Sequence, residues 1–140
     1  MRAAVVLLAA IALGACGTRD RTMSPACTAD TATIARALDR APAPVRLPDG
    51  TLLSQCMAAA DTDAALQSFG VLATQVADDL ADRGAALRLG YLIGAARRGA
   101  TRTNGIGAEL EHRLESSARR LSGSFRGQLE RGLRAGEQTG

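Results

Sequence analysis

Few side chains in this 140-residue chain could take part in chemistry. The single histidine, His112, is flanked by Glu109, Glu111 and Glu115. Glu109-x-x-His112 on a helix puts a carboxylate and an imidazole on one face. That is half of a di-iron carboxylate arrangement, because residues three apart can chelate one ion. The whole arrangement needs a second such pair and further glutamates from other helices, and the other helical stretches supply Asp and no second His. A serine hydrolase would require an acid to orient His112 towards a buried serine, and no G-x-S-x-G elbow is present. Gly-rich phosphate loops and C-x-x-C-H haem attachment are absent too. The expectation is a non-enzymatic protein with no metal and no cofactor. What remains is three cysteines, Cys16, Cys27 and Cys56, and an arginine-rich stretch near the C-terminal end.

Cys16 has a distinctive setting. Met1-Arg2 is a minimal positive start, and Ala3 to Leu13 is an uncharged run of eleven apolar residues. As a helix it would span roughly 16 Å, too short for a hydrocarbon core of about 30 Å, so it reads as the apolar region of an export signal. Leu13-Gly14-Ala15-Cys16 follows at once: an aliphatic residue, two small residues and a thiol. These residues resemble the lipobox of bacterial lipoproteins. The resemblance covers residues 1 to 16 and implies a thioether to diacylglycerol on Cys16, cleavage before it, and acylation of the new amino group. An ordinary secretory signal and a cytosolic N-terminal core helix are the competing readings. Each buried CH₂ contributes about 0.8 kcal/mol, so two or three acyl chains hold a protein where one would exchange. The resemblance divides the chain into a signal peptide (1–15), a lipidated cysteine with a polar tether (16–26) and a helical domain (27–140). It places the protein on the cell membrane or outer membrane, facing the periplasm or exterior.

With Cys16 carrying lipid, Cys27 and Cys56 are left as a pair in an oxidising compartment, where disulfides persist, and a bond between them is expected. On the chain-entropy account such a loop contributes about 3.5 kcal/mol. Free thiols and a metal pair are the alternatives, although one distant His112 does not give zinc-site spacing.

The elements that must position these residues read as helices. Only Phe69, Tyr91 and Phe125 are aromatic, so the core is aliphatic and Ala-rich, which favours helix over sheet. The fold expected is all-α, a small bundle of three to four helices with one disulfide. A first helix starts at Thr28 or Asp30 and runs to about Arg40, until Pro42, Pro44, Pro48 and Asp49-Gly50 break it. Leu52 to Ala60 forms a short helix returning Cys56 to Cys27. Asp61 or Thr62 caps a further helix with an apolar stripe at Leu66, Phe69, Leu72, Val76 and Leu80. Its terminal Asp78, Asp79 and Asp82 oppose the helix dipole and call for Arg83 or Arg88. The next helix, about Ala85 to Ala100, is uncharged from Leu89 to Ala96 and so belongs at the centre. Gly90 and Gly94 within it imply a neighbouring backbone lying close. After Thr103-Asn104-Gly105, one long helix is expected from about Ile106, with Leu110, Leu114, Ala118, Leu121, Phe125, Leu129 and Leu133 on one face and a bend or interruption at Gly123. Glu109–Arg113, Glu115–Arg119 and Glu130–Arg134 are i,i+4 pairs along it.

All 17 basic residues are Arg. Residues 28 to 82 hold three Arg against eight Asp, and residues 83 to 140 hold eleven Arg against five Glu. Two halves folding against each other would neutralise part of this asymmetry. The remaining candidate surface is Arg113, Arg119, Arg120, Arg126, Arg131 and Arg134 beside the last apolar stripe, suited to anionic lipid or polymer. The function expected is an envelope lipoprotein presenting a helical surface to a protein or anionic-polymer partner, with a small-ligand or lipid carrier as the alternative. Nucleic acid is not expected.

Overall fold

A computed structural model describes residues 22–60, 62–103, 105 and 107–140. The leader, Cys16, Asp61, Asn104 and Ile106 lie outside them. The fold is all-α, as the composition implies, with six helices and no strand among the described residues: α1 Thr31–Leu38, α2 Leu53–Ala59, α3 Asp63–Asp82, α4 Ala86–Ala100, α5 Ala108–Ala118 and α6 Arg126–Thr139. Short 3₁₀ turns, Pro25–Thr28 and Gly123–Phe125, precede α1 and α6.

The N-terminal third is organised by caps and one covalent bond. Asp30 caps α1, its carboxylate accepting from the Thr33 amide at 2.6 Å. Cys27, in the first 3₁₀ turn, is bonded to Cys56 in α2, and both are fully buried. Met23 and Ala26, at the end of the stretch read as a tether, pack on the core, and the Ser24 hydroxyl donates to the Asp49 carboxylate. The proline-rich loop keeps Val45 and Leu47 inside. It reverses at Gly50, where the Leu47 amide donates to the Thr51 carbonyl at 2.8 Å. Thr62 caps α3 through the Ala65 amide at 3.2 Å, and the stripe turns Phe69, Val76 and Leu80 fully inward with Leu66 and Leu72 half-buried.

Helix α4 is the axis of the molecule. Every residue from Leu89 to Ala96 is buried, and each of the other five helices touches it. Enclosure of the uncharged stretch from Leu89 to Ala96 is the arrangement its sequence demands. Helix α6 forms by far its largest interface. A Cβ built on Gly90 would lie 2.0 Å from the Leu129 carbonyl oxygen, and one on Gly94 would lie 2.1 Å from that of Leu133. Reciprocally, a Cβ on Gly132 would meet the Leu87 oxygen at 1.9 Å, and one on Gly136 the Tyr91 oxygen at 2.2 Å. Contact points advance together along both helices, so α4 and α6 run in the same direction. This is a small-xxx-small contact at backbone distance, in which glycine Cα–H groups face carbonyl oxygens.

The long C-terminal helix expected from about Ile106 is two helices instead. Helix α5 ends at Ala118, and the chain turns through Leu121, Ser122 and the Gly123–Phe125 3₁₀ turn before α6 begins. The i,i+4 spacing of Leu121, Phe125 and Leu129 carries across the turn, which is why periodicity alone runs the two helices together. The break has a steric reason: α6 can reach Gly90 and Gly94 in a parallel sense only if α5 first crosses back along the bundle.

Substitution of two glycines by alanine should therefore have opposite signs. Gly132→Ala must displace the Leu87 carbonyl and should lower the unfolding free energy by about 3 kcal/mol. Gly127→Ala, on α6 with open space beside it, should raise it by up to about 1 kcal/mol. Urea denaturation of the two variants measures both, and equal effects would contradict the packing.

Candidate functional site

The six arginines singled out in the sequence do not form one face, because the turn at 119–125 divides them between α5 and α6. Arg113 pairs with Glu109 at 2.9 Å, the expected i,i+4 contact. Arg120 reaches across to α3, pairing with Asp78 at 2.9 Å and Asp82 at 3.7 Å. Arg119 donates to the Ser116 hydroxyl at 2.6 Å and not to Glu115. Among the described residues Arg119, Arg126, Arg131 and Arg134 make no ion pair, and the expected Glu130–Arg134 pair does not form. All four are exposed. The unneutralised positive charge of this region is thus concentrated at the end of α5 and along the outer side of α6.

Charges from the two halves of the chain do meet. Besides Arg120 with Asp78, Arg88 pairs with Asp39 at 2.6 Å. Asp79 is neutralised by Arg83 at 2.9 Å, so the acidic end of α3 is compensated by Arg83 and Arg120, while Arg88 serves α1. Asp78 also accepts from the Ser117 hydroxyl at 2.6 Å. That hydrogen bond, with Arg120 adding to it against partial desolvation, holds the Asp78 carboxyl below the usual carboxylate range.

Two organising groups escaped the sequence reading. Arg97, near the end of α4, binds Glu111 at 3.0 Å and Glu115 at 2.5 Å on α5, and Glu137 at 3.3 Å on α6. One planar fork ties three helices, and its bonds, led by that to Glu115, raise its affinity for the proton still further. In sequence Arg97 reads only as a cation suited to a helix C-terminus; the three glutamates lie 14 to 40 residues away, where no local pattern links them. Tyr91 is the second group. Buried in the centre of α4, its hydroxyl accepts from the Val45 amide at 2.9 Å and bonds the Thr139 hydroxyl at 3.0 Å. The lone tyrosine amid an apolar run is the available signal, since a buried phenol needs a partner.

Arg97 also fixes the fate of the Glu-His stretch. Glu111 and Glu115 point at its guanidinium, Glu109 is taken by Arg113, and His112 is exposed. No cluster of three potential metal ligands occurs among the described residues.

Two of the open clefts on the surface of the described residues bear on this. One, about 310 Å³, lies between α3 and α5 over Leu66, Gly70 and Leu110, next to Val71, which is 48% exposed. The other, about 230 Å³, lies at the α5–α6 turn between Arg119 and Arg126, with Leu121, Phe125 and Leu129 beneath. The chain matches no family model, no curated protein and no solved structure.

The Asp78 site predicts a specific pH dependence. Its carboxyl titrates lower folded than unfolded, so its contribution is present above about pH 3.9 and is lost as pH falls through the folded value. Asp78→Asn should lower the urea midpoint at pH 7 by more than it does at an acidic pH below the unfolded value of about 3.9. A difference of the same size at both pH values would count against this arrangement.

Proposed function

We propose that this protein is a membrane-anchored envelope lipoprotein, without catalytic activity, that holds its helical domain outside the cytoplasm and offers an exposed helical surface to a partner. The observation that carries the reading is Leu13-Gly14-Ala15-Cys16 placed directly after an apolar run of eleven residues. The disulfide supports it in two ways. It consumes Cys27 and Cys56, leaving Cys16 as the one cysteine available for modification. It is also a bond that persists in oxidising compartments and is rare in the cytosol.

Among the described residues no helix is long and apolar enough to cross a membrane. In this reading the acyl chains on Cys16 provide the attachment, and two or more are needed for it to be stable. The glutamates around His112 are bound to Arg97 and Arg113, which suits a structural role for them. The outer side of α6, with Arg126, Arg131 and Arg134 exposed and making no ion pair among the described residues, suits an anionic partner.

Metabolic labelling with an alkyne analogue of palmitate tests the anchor. The wild-type protein should carry the label and partition into the detergent phase, and Cys16→Ala should do neither. Equal labelling of the two would defeat the proposal.

A further inference from the structure

We infer that the cleft at the α5–α6 turn binds the phosphate of an anionic phospholipid headgroup, with Arg119 and Arg126 as its two guanidinium partners. The inference rests on the lipoprotein reading only in that such lipids then lie within reach of the domain. Its own grounds are the composition and the charge of the cleft. No carboxylate lines it. Arg113 and Arg120, in the same stretch of chain, are each held by an acid, whereas Arg119 and Arg126, which line the cleft, have no ion-pair partner among the described residues.

A guanidinium fork matches the oxygens of a phosphodiester, and two arginines lining one cleft, Arg126 and an Arg119 now bonded to the Ser116 hydroxyl alone, supply two such forks to a single anionic group. Ser122 adds a hydroxyl, now bonded to that of Ser124 at 2.7 Å and free to rotate towards an acceptor. Nothing lies over the position where Gly123 would carry a side chain, so the backbone there is open to close approach. The floor is apolar: Leu121, Phe125 and Leu129 are each half-buried, leaving carbon surface for the glycerol and first acyl carbons. A free phosphate could use the arginines but not this floor. That difference favours the lipid as occupant.

The test uses the full-length protein, ¹⁵N-labelled, in micelles of an uncharged detergent, and follows the Gly123 and Phe125 amide signals by NMR. Phosphatidylglycerol should shift them saturably, phosphatidylcholine should not, and inorganic phosphate should bind far more weakly. Loss of charge-assisted bonds at both arginines, Arg119→Ala with Arg126→Ala, should weaken the phosphatidylglycerol affinity at least ~10-fold. Arg88→Ala, remote and paired with Asp39, should bind as the parent does. Because Arg119 and Arg126 are exposed, the double variant should keep its unfolding midpoint.

Equal shifts with phosphatidylcholine, inorganic phosphate binding as tightly as phosphatidylglycerol, or undiminished affinity in the double variant would each overturn the inference. Palmitate labelling separates it from the anchor. Labelled protein with no response to phosphatidylglycerol removes the cleft alone, and a response in protein that never takes the label removes the anchor alone.

Discussion

Helices α4 and α6 meet at backbone distance. Gly90 and Gly94 on one, and Gly132 and Gly136 on the other, present hydrogens where any other residue would drive a carbon into a carbonyl of Leu87, Tyr91, Leu129 or Leu133. Glycine within a helix costs about 1 kcal/mol relative to alanine, so four of them are a standing penalty that close packing has to offset. The packing achieves more than that offset. Parallel contact between two helices so near in sequence forces the chain to travel back between them, and α5 with its following turn is the result.

Several features of the molecule follow from this constraint. With α5 and α6 both lying against α4, Glu111, Glu115 and Glu137 converge on Arg97. The end of α6 closes over the proline-rich loop and α2. Tyr91 joins Val45 to Thr139, the Ser54 hydroxyl donates to the Gly140 carbonyl at 2.5 Å, and Arg98 donates to the Glu137 carbonyl at 3.1 Å. At the other end of α6, Phe125 closes on Gly84, whose positive φ of 66° turns the chain from α3 into α4. The Cys27–Cys56 bond holds the first turn to α2. These links are distributed round α4, so its uncharged stretch from Leu89 to Ala96 is matched by cover from its neighbours.

Much of the architecture is legible in the residues themselves. The uncharged stretch from Leu89 to Ala96 marks the central helix, Gly90 and Gly94 announce a close neighbour, and the stripe from Leu66 to Leu80 marks the inner face of α3. The prolines at 42, 44 and 48 mark the loop. The division of α5 from α6 is not legible, because Leu121, Phe125 and Leu129 keep helical spacing through the turn. Gly123 reads as a bend or an interruption, and what makes it a full break between two helices is the tertiary demand of the glycine contact. The ion pairs are hidden for a related reason: Glu115 has Arg119 four residues on, yet it serves Arg97, an arginine eighteen residues earlier in the chain. Local pairs contribute a few tenths of a kcal/mol, and a tertiary fork outweighs them. The candidate site was legible in residue type only, since six arginines are visible in sequence but which of them are neutralised depends on Asp78, Asp82 and Glu109.

For function, the division between structural and available charge is the useful outcome. Arg88, Arg97 and Arg120 hold helices to one another, Arg83 and Arg113 pair with acids of their own helices, and Arg119, Arg126, Arg131 and Arg134 are left facing outward at the end of α5 and on α6. An outward basic surface on α6 is usable only if α6 is a fixed part of the core. Hydrogen exchange tests that most directly. If the glycine contact governs the fold, the amides of 129–136 will exchange with the same free energy as those of 89–96, both opening only when the whole domain unfolds. Exchange of α6 through a separate opening of much lower free energy, with α4 still protected, would contradict the account.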